Sequence, residues 1–190
     1  LLRSGKMVHA SATALSLSRE GQKILLDDLD YYRERILLRT QEISNHPEVV
    51  RRLGIIAING MIEADIYGNV NSTHIRGSAI MNGIGGSGDF ARNAYLSFFV
   101  TPSVTKDGTS RIVPMATHVD HTEHDVQVLV TEQGLADLRG LSPKQRSAVI
   151  IERCAHPDMR PALHGYVEEA MRNPRGRHTP HVLEKAFTFL

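Results

Sequence analysis

The stretch NGIGGSGDFARNAYLSFFV, residues 82–100, decides how the chain is read. Gly83, Gly85 and Gly88 spell G-x-G-x-x-G, the spacing of a dinucleotide-binding loop, and Asp107 stands about where a ribose-binding acid would. That reading needs a strand running straight into the loop, so that phosphate meets the start of the next helix. The preceding residues, Gly77-Ser78-Ala79-Ile80-Met81-Asn82, contain one β-branched side chain and end on a polar one. Asp107 lies between Lys106 and Gly108, which is a turn and not a strand end. The stretch therefore argues against a Rossmann site. Its four glycines in six residues still allow close approach of backbone to a ligand, with N–H groups free to meet an anion or a developing oxyanion.

Working outward, residues 89–96 read as a helix and residues 96–100 as a buried strand. Upstream, residues 7–15 suit a short buried strand, and Ser16 or Ser18 can cap a helix whose apolar face is Ile24, Leu25, Leu26 and Leu29. Residues 36–38 read as a strand. Asn45-His46-Pro47-Glu48 opens a short helix, with Asn as cap and Pro early inside, that stops at Gly54. Residues 55–58 and 61–67 read as strands separated by Gly60, and Gly68-Asn69 as a turn. Downstream, residues 112–116 and 126–130 read as strands. Ser142-Pro143 starts a helix carrying Ala148, Ile151 and Ala155, and His156-Pro157 breaks it. A helix over residues 161–172, a loop at 173–176 and a last amphipathic helix from Thr179-Pro180 to Leu190 follow. The order predicts one α/β domain over residues 1–190, with a mixed sheet, flanking helices and a C-terminal helical cap.

Composition sets outer limits. The 190 residues are 41% hydrophobic and 23% charged, as in ordinary globular proteins. There is no Trp, so the core falls to Ile, Leu, Val and Ala. A net charge of +1 gives no basic field for nucleic acid or membrane. No apolar run is long enough to span a bilayer. Cys154 is the single cysteine, which excludes an internal disulfide and fits a reducing compartment. The chain opens on Leu1-Leu2-Arg3-Ser4-Gly5-Lys6, which reads as the tail of a helix and so as part of a longer protein.

Two further stretches carry chemistry. His118-Val119-Asp120-His121-Thr122-Glu123-His124-Asp125 packs three His and three acids into eight residues. Its spacing matches no standard zinc signature, and the simpler reading is a polar loop whose acids and imidazoles satisfy one another. Thr131-Glu132-Gln133-Gly134 puts an acid directly after an apolar strand, where ligands meet α/β sheets. Glu132 there can orient a substrate, take a proton, or merely cap a helix.

Several of these segments together resemble the acetyl-CoA hydrolase/acetate CoA-transferase family. The resemblance lies in Gln41-Glu42-Ile43-Ser44-Asn45-His46-Pro47, Tyr67-Gly68-Asn69-Val70-Asn71-Ser72-Thr73-His74, residues 82–93, residues 118–125 and residues 131–140. It is to the C-terminal domain and covers nearly the whole chain. The resemblance implies a CoA-transferase-like (NagB/RpiA-like) α/β fold and ping-pong transfer through a glutamyl-CoA thioester. It implies that Gly86 meets the thioester carbonyl, that Ile62, Asn82, Gly86 and Lys106 contact CoA, and that Asn45 and Glu132 line the carboxylate pocket. No metal and no permanently bound cofactor are implied; CoA and acyl-CoA are substrates, with small carboxylates as partners. It further implies an upstream N-terminal domain, a homodimer, and a cytoplasmic setting (mitochondrial in a eukaryote). The family's nucleophilic glutamate aligns just before Leu1. Acetyl-CoA hydrolysis, a non-catalytic CoA-binding or dimerisation module and an NAD-dependent oxidoreductase are the competing readings.

Overall fold

The computed structural model describes residues 1–172 and 178–188. They form two compact units, Leu1–Leu53 and Gly54–Leu190.

The first unit is built from short pieces: β1 (Ala10–Ala12), α1 (Arg19–Asp27), α2 (Leu29–Arg33), β2 (Ile36–Leu38), α3 (Gln41–Ser44) and α4 (Pro47–Leu53). β1 and β2 pair in parallel. The Ser18 hydroxyl accepts the Gly21 N–H at 3.1 Å and so caps α1, as its sequence predicts. Two expectations fail here. Residues 7–15 yield only a three-residue strand, none of it buried, and α1 has no buried side chain, so Ile24 and Leu26 stay exposed. Asn45 does not open α4; it closes α3, donating its N–H to the Gln41 carbonyl at 2.9 Å. Gly54, at φ 62°, then ends α4 in a left-handed turn that favours glycine.

The second unit holds the remaining elements: β3 (Ile56–Gly60), β4 (Glu63–Asp65), β5 (Val70–Asn71), β6 (His74–Ile75), β7 (Ala79–Ile80), α5 (Ser87–Asn93), β8 (Leu96–Val100), β9 (Ile112–Val113), β10 (Val128–Thr131), β11 (Gly134–Asp137), α6 (Pro143–Cys154) and α7 (Arg160–Met171). A mixed sheet runs β11-β10-β8-β3, parallel except for antiparallel β11. The connection from β3 to β8 passes through α5, which packs on both strands, a parallel crossover. Inserted in that connection are β4 and β5, which form a second sheet with β9, and the small β6-β7 hairpin. The result is a mixed α/β fold with a central sheet flanked by helices.

β8 alternates as a half-buried strand should, with Ser97 and Phe99 inward. The core gathers Ile66, Tyr67, Phe99, Ile112, Leu129, Leu138, Ile150, Ile151 and Leu163, so aromatic rings share the space expected of aliphatic ones. Ser142 and Gln145 close the start of α6, the Gln145 carboxamide accepting the Ser142 N–H at 2.9 Å. Its buried face is Ser147, Ile150, Ile151 and Cys154; Ala148 points to solvent, one position off the expected stripe. Among the described residues the C-terminal cap holds two α-helices where three were expected. Where a last helix was expected, the chain makes a single 3-10 turn at Leu183–Lys185, and its Phe189 and Leu190, like the loop at 173–176, lie outside the described residues. Among the described residues no helix is long and apolar enough to cross a membrane.

β11 follows β10 after a two-residue turn, and its first residue has a steric reason to be glycine. A Cβ on Gly134 would stand 2.9 Å from the Arg153 carbonyl oxygen of α6. Gly165, inside α7, meets nothing within 4 Å. Gly134→Ala is therefore expected to lower stability by about 1–3 kcal/mol. Gly165→Ala is expected to raise it by about 0.5–1 kcal/mol. Urea unfolding of both variants against the parent chain checks the opposite signs.

Candidate functional site

In open α/β sheets ligands sit beyond the carboxyl ends of the parallel strands. Here those ends are Gly60 of β3, Val100 of β8 and Thr131 of β10. A cleft of about 330 Å³ opens there, walled by Gly60, Ile62, Ser72, Asn82, Thr101 and Arg111. A second, of about 390 Å³, shares Ile62, Met81 and Arg111 and extends to Ile75, Arg76 and the turn holding Thr105 and Asp107.

Hydrogen bonds fix these walls. Ile62 donates its N–H to the Asn71 carbonyl at 2.8 Å, and its own carbonyl accepts from the Arg111 guanidinium at 2.7 Å. The Asn82 carboxamide donates to the Ser72 carbonyl at 2.7 Å. Behind the walls, Glu63 is buried and accepts from Asn71 Nδ2, the Thr117 N–H and the Thr117 hydroxyl. Asp65 accepts from the backbone of Tyr67, Asn69 and Ala116 and from the Asn69 carboxamide; burial nevertheless pushes it up to about 6.

The sequence-derived residues divide accordingly. Ile62 and Asn82 share one cleft. Lys106 is exposed on the turn between Thr105 and Thr109, whose members line the other. Gly86 immediately precedes α5 and lines neither cleft. Asn45 belongs to the first unit, where it accepts from the Ser44 hydroxyl at 3.0 Å. Glu132 caps no helix. It sits in the two-residue β10-β11 turn, just past the strand end, with its carboxylate turned onto Ser103. The Ser103 N–H and hydroxyl both donate to it, and Gln133 adds a third bond at 3.0 Å. Burial of the carboxyl opposes its charge, but these donors outweigh that and hold it at about 2.

The histidine-rich stretch is a loop whose three imidazoles diverge. His118 pairs with Asp120 at 3.3 Å, His121 is wholly buried, and His124 is exposed. Among the described residues no group of three or more His, Cys, Asp or Glu is placed to hold a metal ion. Asp120 clamps the turn beneath the cleft, accepting from the Ser72 N–H at 2.8 Å and from the Thr73 hydroxyl. Its neighbour His121 reaches Ser87 at the start of α5. Sequence reasoning passed over Arg111, Arg76, Met81 and Ser72. Nothing in their spacing marks them: Ser72, Arg76 and Met81 lie in the short-strand segment before α5, and the pairing of β4 with β9 brings the distant Arg111 to the same walls. The loop itself was visible in the sequence, although its reach to Ser87 was not.

Comparison with known proteins sets this geometry in context. The model of the acetyl-CoA hydrolase/transferase C-terminal domain matches residues 21–167. The chain is 57% identical over 190 residues to a succinyl-CoA:acetate CoA-transferase of Clostridium kluyveri, covering all of this chain and 35% of that protein. It is 54% identical over 195 residues to an acetyl-CoA hydrolase of Schizosaccharomyces pombe, covering 98% of this chain and 37% of that one. The chain thus spans little more than a third of the length of these curated relatives. Among solved structures it resembles a 4-hydroxybutyrate CoA-transferase from Porphyromonas gingivalis, with TM-score 0.62, 27% identity, and coverage of 85% of this chain and 37% of that one.

The Ser103–Glu132 pair makes a pH-dependent claim. Glu132 titrates at about 2 when folded against an ordinary 4.5, so its charge contributes stability above about pH 4.5, which is lost as pH falls through about 2. Ser103→Ala is expected to move the Glu132 titration upward, followed by carboxyl carbon NMR. An unmoved titration would contradict the pairing.

Proposed function

The chain belongs to the acetyl-CoA hydrolase/transferase family, of which it carries the C-terminal domain, and on that premise we propose that it forms part of a CoA-transferase. The reaction moves CoA between an acyl-CoA (acetyl, succinyl or propionyl) and a free carboxylate. A glutamate upstream of Leu1, on an N-terminal domain of the same protein, attacks the acyl carbonyl and expels the CoA thiolate. The thiolate returns to the glutamyl carbonyl, releasing the first carboxylate and leaving a glutamyl-CoA thioester. A second carboxylate then reverses the sequence. Splitting one exchange into two covalent steps lowers each barrier. The full protein is a homodimer of NagB/RpiA-like fold in this reading, working in the cytosol or the mitochondrial matrix.

One observation carries the proposal: Ile62 and Asn82, the residues resembling the family's CoA contacts, wall a common cleft at the carboxyl ends of the parallel strands. In this reading Lys106 offers a point charge to a CoA phosphate from its exposed turn. The Gly86 N–H supports the developing thioester oxyanion, and among the described residues no acceptor takes it. Glu132, held ionised by Ser103, orients the carboxylates. The near-equal identity to an acetyl-CoA hydrolase favours a second reading, in which water replaces the accepting carboxylate.

Intact-protein mass spectrometry after mixing with acetyl-CoA tests both. The full-length protein is expected to gain the mass of CoA less one water, and residues 1–190 alone to gain nothing. An adduct on residues 1–190 would move the nucleophile into this chain and overturn the assignment. Free CoA and acetate released without an accepting carboxylate would select the hydrolase.

A further inference from the structure

The histidine of the second unit's core bears on the glycine loop. His121 is 0% exposed, and its ring lies against Phe99 with centroids 4.9 Å apart. Its Nε2 is 2.9 Å from Ser87 Oγ and 3.5 Å from Ser72 Oγ, which itself donates to Asp120, while Nδ1 has no partner. The Ser87 hydroxyl donates at 2.8 Å to the Ile84 carbonyl, across Gly85 and Gly86. A hydroxyl has one hydrogen, so Ser87 can only accept from the imidazole. The proton therefore sits on Nε2, and the orphan Nδ1 is a lone pair. The other tautomer would bury an unpaired N–H, the costlier orphan, and take the Ser87 hydroxyl away from the Ile84 carbonyl, leaving it only the longer bond from the Ser87 N–H at 3.5 Å.

The imidazole is itself well anchored. His121 exchanges two backbone hydrogen bonds with Val70, at 2.8 and 3.0 Å. Arg92 of α5 reaches Asp125 of the same loop at 2.9 Å. Burial lowers the imidazole's pKa, and Arg92 adds to this against Asp120 and Asp125, so the ring is neutral at physiological pH. Gly85 is in the left-handed region at φ 57°, a conformation that the closed turn from Ile84 to Ser87 must hold.

We infer that His121 is a positioning residue: as the Nε2–H imidazole it holds Ser87, and through the Ser87–Ile84 bond it sets the direction of the Gly86 N–H. The inference rests on the reading of Gly86 as the oxyanion donor. A donor displaced by about 1 Å can lose roughly 100-fold in rate, so a side chain two contacts away governs turnover. Gln reproduces a donor near Nε2, whereas Leu fills the space without one.

The test uses the full-length protein, its His121→Leu, His121→Gln and Ser87→Ala variants, and two readouts. The first is amide hydrogen exchange at Ser87, whose N–H donates to the Ile84 carbonyl at 3.5 Å, and it needs no substrate. Exchange is expected to quicken by about 10-fold or more in His121→Leu and Ser87→Ala, but not in His121→Gln, as a lost 1–1.5 kcal/mol hydrogen bond allows. The second is steady-state CoA transfer. There kcat is expected to fall roughly 10- to 100-fold for Leu and Ala with little change in KM for acyl-CoA, and to recover in Gln. Exchange in His121→Leu equal to wild type, or Gln behaving as Leu, would overturn the inference. Should His121→Leu fail to fold, Ser87→Ala decides. A wild type with neither transfer nor hydrolysis would sink the functional reading instead, and the exchange pattern alone would then decide the role of His121.

Discussion

Two carboxylates buried on one three-residue strand, Glu63 and Asp65, constrain everything around the clefts. Removing a carboxylate from water costs several kcal/mol unless hydrogen bonds replace the hydration. The chain supplies those bonds from segments far apart. Asn71 and Thr117 converge on Glu63; Tyr67, Asn69 and Ala116 converge on Asp65. Each bond holds a piece of loop that would otherwise be unanchored. Asn71 in turn uses its carboxamide oxygen to accept from Thr73 and His74. The excursion between β3 and α5 is thus tied together by two acids as well as by the core residues Ala64, Ile66, Tyr67 and Val70, and the walls of both clefts inherit their positions from it.

That dependence explains what was legible in the sequence. β8, α6 and the turn at Gly68 announced themselves through local rules: alternation, a Ser-Pro start, a glycine in a left-handed turn. β5, β6 and β7 are two residues each and have no period to read. β11 escaped notice because Glu132-Gln133 is not a typical hairpin turn sequence. The strand expected at residues 7–15 and the apolar face expected on α1 had the right composition. Neither is buried within this chain, and composition alone does not say what covers a surface.

The site was legible to a different degree. Ile62 and Asn82 came from resemblance, and the clefts bring them together. Arg111 could not be found that way, since its part depends on Ile62 lying across a sheet from it. The acid at Glu132 was visible as an acid after a strand, yet its ionisation depends on Ser103, a partner supplied by the loop after β8. The histidine-rich segment advertised metal chemistry by composition. Its geometry instead spreads the imidazoles: one beside Asp120, one in the core, one in solvent.

The pairing of β4 with β9 joins residue 64 to residue 112, and the Val70–His121 bridge closes a loop of similar size. Contacts so distant in sequence form late, after their loop-closure entropy has been met. During synthesis, the clefts cannot assemble until residue 121 has left the ribosome, long after Ile62 and Asn82 have emerged. The segments that carry the resemblance to CoA contacts are therefore made early and shaped last, and a nascent chain halted before Arg111 would lack both the guanidinium that holds the Ile62 carbonyl and the Asp120 carboxylate that holds Ser72.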